Sequence, residues 1–304
     1  MEKLSLALDW TPNINHIGFF VAQEKGFYQE YDLEVEITDP SLDNYEITPA
    51  KKVEMGAADF ALCPTESVIS YRTKSQPFDL IAIAAVLQYD LSAIVVKADA
   101  GIHSPKDLDG KLYSSYKARY EDGIVMEMIK NDGGAGNLNL SYPAKLGIWN
   151  TLLQGEADAT WIFLNWEGVS AQSLGNQLKY FRMRDYQIPY SYSPVIAASE
   201  AQLSAKLVQY QAFLQASKKG FLHCQAAPEE SIEILRKFVP AHEAEIDLQE
   251  ALAVSLPAFG NKDSWGQIDP KVISSFFDWI FAKGLETQVL APEEIFTLSA
   301  FHTK

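Results

Sequence analysis

Residues 4–26 limit the possible fold more than any other stretch of the chain. Leucines alternate with smaller residues in LSLAL (4–8), which predicts a short buried strand. Turn-forming residues follow at 9–13, and apolar residues at helical spacing then continue to Gly26. In an open α/β sheet, ligands bind beyond the carboxyl ends of the strands. The polar and aromatic residues expected to border a pocket here are Asp9, Trp10, Asn13, Asn15 and His16.

The same alternation of strands and helices continues through the N-terminal part of the chain. Apolar or alternating segments predict strands at 33–37, 58–63 and 79–86, and helices lie between them at 45–53 and 66–74. Such a series with short loops is typical of a mostly parallel sheet whose faces are covered by helices. This part of the chain is therefore predicted to form one α/β lobe.

A second series of strands and helices begins near residue 91, with strands predicted at 92–97 and 157–164. The C-terminal part of the chain is almost wholly helical, and its apolar residues recur at helical spacing. The helices predicted there cover residues 204–225, 228–238, 241–255 and 270–283.

The two series predict two lobes, which agrees with a length of 304 residues. The chain is expected to cross between them near 88–92 and again near 186–195. Lobe 1 is then discontinuous, with residues 1–90 plus 195–304, and lobe 2 spans residues 91–194. Two lobes connected in this way leave a cleft that suits closure on a ligand by hinge motion.

The charge and the cysteines exclude several classes of protein. A net charge of −15 with no basic run argues against a nucleic-acid or anionic-membrane partner. Cys63 and Cys224 lie far apart without a CxxC motif, so we expect free thiols and no zinc finger. No apolar run approaches the roughly 20 residues that span a bilayer. The N-terminus leads directly into a strand, which leaves two alternatives: a cytoplasmic protein, or an extracytoplasmic one whose signal or lipoprotein leader was removed.

The sequence contains no recognisable catalytic or metal motif. GxSxG, HExxH, GxxxxGK[ST] and GxGxxG are all missing, and the histidines are scattered. The glycine-rich segment at 133–136 follows a predicted helix at 122–131, so a helix stop explains it. We therefore predict no catalytic residue, no metal site and no cofactor.

Aromatic and carboxylate residues recur where predicted strands end. Facing rings clamp a flat heterocycle, and each offset stack adds about 0.5–1.5 kcal/mol beyond the area that it buries. Carboxylates nearby accept hydrogen bonds from exocyclic amines, and such charge-assisted bonds are strong. The predicted ligand-binding residues are Trp10, Asn13, Glu66, Tyr116, Tyr120, Trp161, Trp166, Glu167, Tyr190 and Tyr192.

Several of these residues also have a purely structural interpretation. Trp161 lies within a predicted strand, which suits core packing. Glu66 lies in the first turn of a helix, where its charge interacts favourably with the helix dipole. Lys117 and Arg119 precede another helix and together suit an anion or a carbonyl. The alternative for Arg119 is a surface ion pair with Glu121 or Asp122.

The chain resembles the thiamine-precursor (formylaminopyrimidine) binding proteins, which are solute-binding components of ABC importers with a two-lobe type II periplasmic-binding fold. The segments that carry the resemblance are DWTPNINHIGFFVAQEKGFY (9–28), ADFALCPTES (58–67), GKLYSSYKARYED (110–122), ADATWIFLNWEG (157–168), YSYSPVIAAS (190–199) and WGQIDPKVISSFFDW (265–279). The resemblance implies a receptor that holds a pyrimidine between aromatic rings and delivers it to an ABC permease. We expect this receptor to be a monomer. Similar proteins bind riboflavin or other small heterocycles, so a riboflavin-type receptor is one alternative.

A family of pyrimidine synthases of thiamine biosynthesis is also similar in fold. That resemblance implies an enzyme that uses a lysine, a histidine and a cysteine-rich segment together with pyridoxal phosphate and iron. Where its lysine and histidine are expected, this chain reads CPTES (63–67), and it has only two cysteines. A binding protein is therefore the preferred interpretation, with the synthase and a cytoplasmic sensor as alternatives.

Overall fold

The computed structural model describes residues 1–301, so His302 lies outside the described part of the chain. Within this range the backbone forms two five-stranded sheets. The strands are β1 (Glu2–Ala7), β2 (Leu33–Thr38), β3 (Phe60–Cys63), β4 (Leu80–Ala85), β5 (Ser92–Lys97), β6 (Leu112–Ser114), β7 (Asn139–Ser141), β8 (Ala159–Phe163), β9 (Leu178–Phe181) and β10 (Val195–Ser199). The first sheet has the order β2-β1-β3-β10-β4, and the second has the order β7-β6-β8-β5-β9.

Helices cover these sheets and form most of the C-terminal part. They are α1 (Ile17–Glu24), α2 (Pro49–Glu54), α3 (Thr65–Thr73), α4 (Glu121–Asn131), α5 (Ile148–Gln154), α6 (Glu167–Ser173), α7 (Glu200–Ala205), α8 (Leu207–Ala226), α9 (Pro228–Arg236), α10 (Leu248–Phe259), α11 (Pro270–Ala282) and α12 (Pro292–Ile295). None of the helices in residues 1–301 combines the length and the hydropathy needed to cross a membrane.

Each sheet contains one strand that runs against its neighbours. In the first sheet β10 is antiparallel to β3 and β4, and in the second β5 is antiparallel to β8 and β9. Each of these strands directly follows a crossing between the sheets. The crossing before β5 consists of residues 86–91 only. A connection of this length cannot reach the far edge of the second sheet, so β5 begins at the cleft and runs away from the cleft.

This distribution of strands supports the proposed division of the chain. The second sheet takes its strands from residues 92–181 alone, and the first takes its strands from both sides of that segment. We therefore keep lobe 1 (1–90 and 195–304) and lobe 2 (91–194) as a proposal. The α/β class with two lobes, predicted from the sequence, is confirmed.

Several helices begin later than their apolar pattern predicts, and capping explains the difference. Residues 45–53 were predicted as one helix, but α2 begins at Pro49, where the Thr48 hydroxyl accepts a hydrogen bond from the Lys51 backbone N–H. The prediction of one helix over 241–255 is also wrong. A short 3-10 turn is followed by α10, whose N-cap Asp247 accepts bonds from two backbone N–H groups.

Candidate ligand-binding site

A cavity of about 440 Å³ lies between the lobes, at the ends of strands from both sheets. Its volume falls within the range of small-molecule sites. Eight of the ten residues predicted from the sequence line it: Trp10, Asn13, Glu66, Tyr116, Trp161, Trp166, Glu167 and Tyr190. The side chains that follow separate strands in the sequence are therefore brought together at one place.

Two predicted residues, Tyr120 and Tyr192, are absent from the cavity lining. Both are buried within the packing between elements. The Tyr120 hydroxyl donates to the carboxylate of Glu286, and the Tyr192 hydroxyl accepts a bond of 2.9 Å from the Asp269 backbone N–H. Their loops lie near the cavity, but the side chains point into neighbouring structure.

One aromatic group of the cavity contains rings from both lobes. The Trp10 and Tyr116 centroids lie 5.7 Å apart at 76°, which is an edge-to-face contact across the cleft. Tyr45, which the sequence prediction missed, lies 5.9 Å from Trp10. Its backbone has a positive φ of 58°, directly after Asn44 with φ 51°. An aromatic residue held in this rare conformation is a sign of a functional position, although the sequence alone does not reveal it.

A second aromatic group borders the cavity at Trp161. This indole is 9% exposed, and its centroid lies 5.0 Å from that of Tyr190. Tyr190 in turn contacts Phe276 of α11 edge to face at 5.2 Å. Trp161 therefore packs against neighbouring rings and also presents a surface to the cavity.

Glu66 is a buried carboxyl group of the cavity with one oxygen atom left without a partner among the described residues. It is 6% exposed, and its Oε2 atom has no hydrogen-bond partner within the described structure. Burial, with a further contribution from Glu121, raises the pKa of Glu66 to about 8, although a hydrogen bond from Tyr190 opposes the shift. The side chain is therefore mostly protonated at neutral pH. A neutral carboxyl both donates and accepts a hydrogen bond.

The other carboxylates of the cavity already have protein partners. Glu167 accepts a bond of 3.0 Å from the Phe163 backbone N–H, and burial raises its pKa to about 7. Glu121 accepts bonds from the Tyr113 hydroxyl at 2.8 Å and from the Tyr116 and Ala118 backbone N–H groups. The backbone N–H groups before α4 therefore already bind the Glu121 carboxylate. They do not support the predicted anion site at the start of this helix.

Arg119 forms an ion pair, but with a different carboxylate from those predicted. Its guanidinium lies 3.0 Å from Glu286 instead of contacting Glu121 or Asp122, and it donates to the Thr73 hydroxyl at 2.8 Å. In the proposed division of the chain, Glu286 and Thr73 belong to lobe 1 and Arg119 belongs to lobe 2. The pair therefore joins the two lobes at one edge of the cavity.

Asn13 and His16 shape the loop that carries Trp10. The Asn13 side chain accepts a bond from the Asn15 backbone N–H and donates to the Thr11 carbonyl, so both its polar atoms are used. His16 is fully buried and does not line the cavity. Its Nδ1 atom accepts a hydrogen bond from the Asn13 backbone N–H, which assigns the ring proton to Nε2. Nε2 lies 2.8 Å from the Asp9 carboxylate. No group of three His, Cys, Asp or Glu residues in 1–301 is placed to hold a metal ion.

The Glu66→Gln variant is expected to lose a pH-dependent part of the stability. The folded protein holds the Glu66 proton more tightly than the unfolded chain does, since the pKa rises from 4.5 to about 8 on folding. This stabilisation is complete below the unfolded value and is lost as the pH rises through the folded value. Urea unfolding from about pH 5 to about pH 9 should therefore show a steeper decline for the wild type than for Glu66→Gln. Parallel declines would contradict the assignment.

The fold and the cleft define a class of protein, the two-lobe type II periplasmic-binding fold. The ligand-binding component of an ABC-type import system from Staphylococcus aureus aligns with a TM-score of 0.74 at 14% identity, covering 99% of this chain and 98% of that chain. The alkanesulfonate-binding protein SsuA from Xanthomonas axonopodis pv. citri aligns with a TM-score of 0.74, also at 14% identity, covering 98% of each chain.

Within this class, the chain belongs to the NMT1/THI5-like family, which matches residues 13–231. A putative thiamine biosynthesis protein from Haemophilus influenzae is 27% identical over 96% of this chain and 91% of its own length. A formylaminopyrimidine-binding protein from Halalkalibacterium halodurans is 25% identical over 98% and 90%. A 4-amino-5-hydroxymethyl-2-methylpyrimidine phosphate synthase from Legionella pneumophila is 22% identical over 91% and 89%.

Proposed function

We propose that this chain is the solute-binding component of an ABC importer and captures an aminopyrimidine of the thiamine-precursor type. The observation that carries the proposal is the unpartnered Oε2 atom of Glu66 in a cavity with aromatic walls. A buried polar atom without a partner is costly, and a ligand that supplies the partner recovers that cost. The relative named as a formylaminopyrimidine-binding protein supports the same ligand class.

The chemistry of a 4-aminopyrimidine matches Glu66 in its protonated form. Its amino group donates a hydrogen bond and the adjacent ring nitrogen accepts one, and the neutral carboxyl offers the complementary pair. Trp10 and Tyr116 on one side and Trp161 and Tyr190 on the other supply ring surfaces for the flat ligand. This arrangement favours a planar, uncharged or weakly basic heterocycle with an amidine-like edge.

The proposal is tested by binding measurements on the Trp10→Ala variant. Isothermal titration calorimetry with formylaminopyrimidine should give at least a tenfold weaker Kd than for the wild type, because the variant loses a stacking surface of about 1.4 kcal/mol or more. Tyr31→Ala, at an exposed position, is the matched control and should bind as the wild type does. Thiamine and riboflavin are the competing ligands. If none of the three raises the melting temperature of the wild type, the proposal fails.

A synthase-like enzyme is the second candidate, because a relative of nearly the same length carries that name. Residues 63–67 read Cys-Pro-Thr-Glu-Ser, without the lysine and the histidine that the enzyme resemblance implies there. Glu66 and Cys63 of this segment line the cavity, and burial raises the pKa of the Cys63 thiol, which makes it a poor nucleophile. Addition of pyridoxal phosphate and iron(II) should therefore give neither a Schiff-base absorbance nor a pyrimidine product.

We also propose an extracytoplasmic location, a monomeric state and an ABC permease as the partner. Support comes from the fold, which is shared with ligand-binding components of import systems. Delivery to a permease requires a closed liganded form and an open form, and the two crossings near 88–92 and 186–195 provide the hinge.

A further inference from the structure

Lys145 lines the same cavity as Glu66 and was not predicted as a site residue. It begins the short 3-10 turn Lys145–Gly147 in lobe 2, ahead of α5, and its side chain lines the cavity. Its Nζ atom lies 4.8 Å from the centroid of the Tyr45 ring, which belongs to lobe 1. The ammonium group therefore crosses the cleft and rests over an aromatic face.

The protein supplies little to this ammonium group apart from the ring. Within residues 1–301, Lys145 has no ion pair at 4 Å or less, whereas the Asp9, Glu121 and Glu167 carboxylates of the same cavity accept bonds from other groups. Burial lowers the pKa of Lys145, although the charge of Glu121 opposes the shift. A half-buried ammonium with three N–H donors and a ring face for a neighbour has donors left for a ligand.

The two aromatic groups of the cavity consequently carry polar groups of different hydrogen-bonding character. Glu66 is associated with Tyr190 in one aromatic group, and Lys145 is associated with Tyr45 and Trp10 in the other. A flat ligand held between the groups presents its amidine-like edge to Glu66 and a ring substituent toward Lys145. An ammonium donor attracts an oxygen acceptor and repels a second cation.

We propose that Lys145 is a specificity-determining residue that donates a hydrogen bond to a carbonyl or carboxylate oxygen on the substituent of the heterocycle. This inference rests on the proposed function and adds the chemistry of the substituent to it. The site then selects an N-acylated pyrimidine over the corresponding free amine. N-formylation of an aminomethyl group removes its positive charge and adds the carbonyl oxygen that Lys145 requires.

The test compares two ligands that differ only at the substituent, 4-amino-5-(aminomethyl)-2-methylpyrimidine and its N-formyl derivative. The wild type should bind the formyl derivative more tightly, and the ratio of the two Kd values is the measurement. Lys145→Met keeps the length of the side chain and removes the charge, so it should reduce this ratio by about 10- to 100-fold, as expected for a hydrogen bond to a charged group. Lys145→Arg should retain the preference, and Lys262→Met at an exposed position is the matched control.

The outcomes separate this inference from the proposed function. If Lys145→Met weakens both ligands equally, Lys145 acts through Tyr45 or through the fold, and the inference is overturned while the proposed function stands. If the wild type binds neither pyrimidine, the proposed function fails and this inference fails with it. Thermal unfolding of each variant without ligand shows whether the affinity changes arise in the folded protein.

Discussion

Replacing Trp166 by alanine is expected to lower the free energy of unfolding by about 3–5 kcal/mol, the cost of truncating a buried tryptophan. Trp166 lines the cavity, yet it is 1% exposed and belongs to the same core cluster as Ile14, Ile17 and Leu252 of lobe 1. Its indole Nε1 also donates a bond of 3.1 Å to Glu243, a carboxylate whose pKa is raised by burial. Urea unfolding of Trp166→Ala against the wild type measures the loss.

The matched control for this prediction is Trp10→Ala. Trp10 is partly exposed and contacts the Tyr45 and Tyr116 rings at the cavity. Its removal should change the free energy of unfolding by about 1 kcal/mol and should weaken ligand binding. Trp166→Phe keeps most of the buried ring volume but not the hydrogen bond, and should fall between the two. If the free energy of unfolding of Trp166→Ala lies within about 1 kcal/mol of the wild-type value, the indole only lines the cavity and contributes little to the core.

The behaviour of Trp166 illustrates what a local sequence pattern specifies. The alternation at 157–164 predicts a strand, and β8 is found there, so a residue just beyond its end lies near the cleft. The pattern contains no information about which lobe the indole packs against. Trp166 lies within the segment assigned to lobe 2 but packs with residues of lobe 1, because the docking of the lobes decides its environment.

Parallel strand order explains why most of the site was predictable. Parallel strands end at the same edge of a sheet, so residues after β1 and β3 meet at one edge of the first sheet, and residues after β6 and β8 meet at one edge of the second. Tyr120 follows β6, and Tyr192 precedes the antiparallel strand β10, but their loops turn the side chains toward Glu286 and Asp269. Side-chain direction in a loop depends on tertiary partners, which a periodic pattern does not encode.

Tyr45 and Lys145 were missed for a different reason. Tyr45 lies beyond β2 and Lys145 beyond β7, and both are in turns that approach each other only where the lobes meet. The sequence pattern predicts a helix over 45–53, and the positive φ at Tyr45 is a property of the folded backbone. Contacts across the cleft are therefore the part of the site that required the structure.

Replacing Glu286 by alanine is expected to lower the free energy of unfolding by about 3 kcal/mol, since the loss of one partner of a buried, hydrogen-bonded ion pair is strongly destabilising. The Glu286 carboxylate is 2% exposed and accepts bonds from Thr73 of lobe 1 at 2.6 Å and from Tyr120 of lobe 2. It also pairs with Arg119 at 3.0 Å, so three side chains lose their common acceptor. The full cost of a buried pair is not reached, because Arg119 is 37% exposed.

The pH dependence of the Glu286 contribution follows from its hydrogen bonds. Burial acts to raise the pKa of this carboxyl, but bonds from Thr73, Tyr120 and the Thr287 and Gln288 backbone N–H groups outweigh burial, and the pKa lies below 4.5. A lowered folded-state pKa contributes stability above the unfolded value, and that stability is lost as the pH falls through the folded value. The difference between the wild type and Glu286→Ala should therefore be largest at neutral pH and shrink in acid.

The matched control is Glu293→Ala, which removes the same charge from an exposed position in α12 and should change stability by less than about 0.5 kcal/mol. Glu286 contacts Arg119 and Tyr120, which lie between β6 and α4 on one side of the cavity. It also accepts a bond from Thr73 of α3, the helix that carries Glu66. Loss of these bonds should therefore also speed ligand release, because the closed form is held less firmly. Stopped-flow measurement of the release rate detects this effect apart from unfolding. Equal stability of the Glu286→Ala and Glu293→Ala proteins at neutral pH would show that Glu286 does not hold the lobes together.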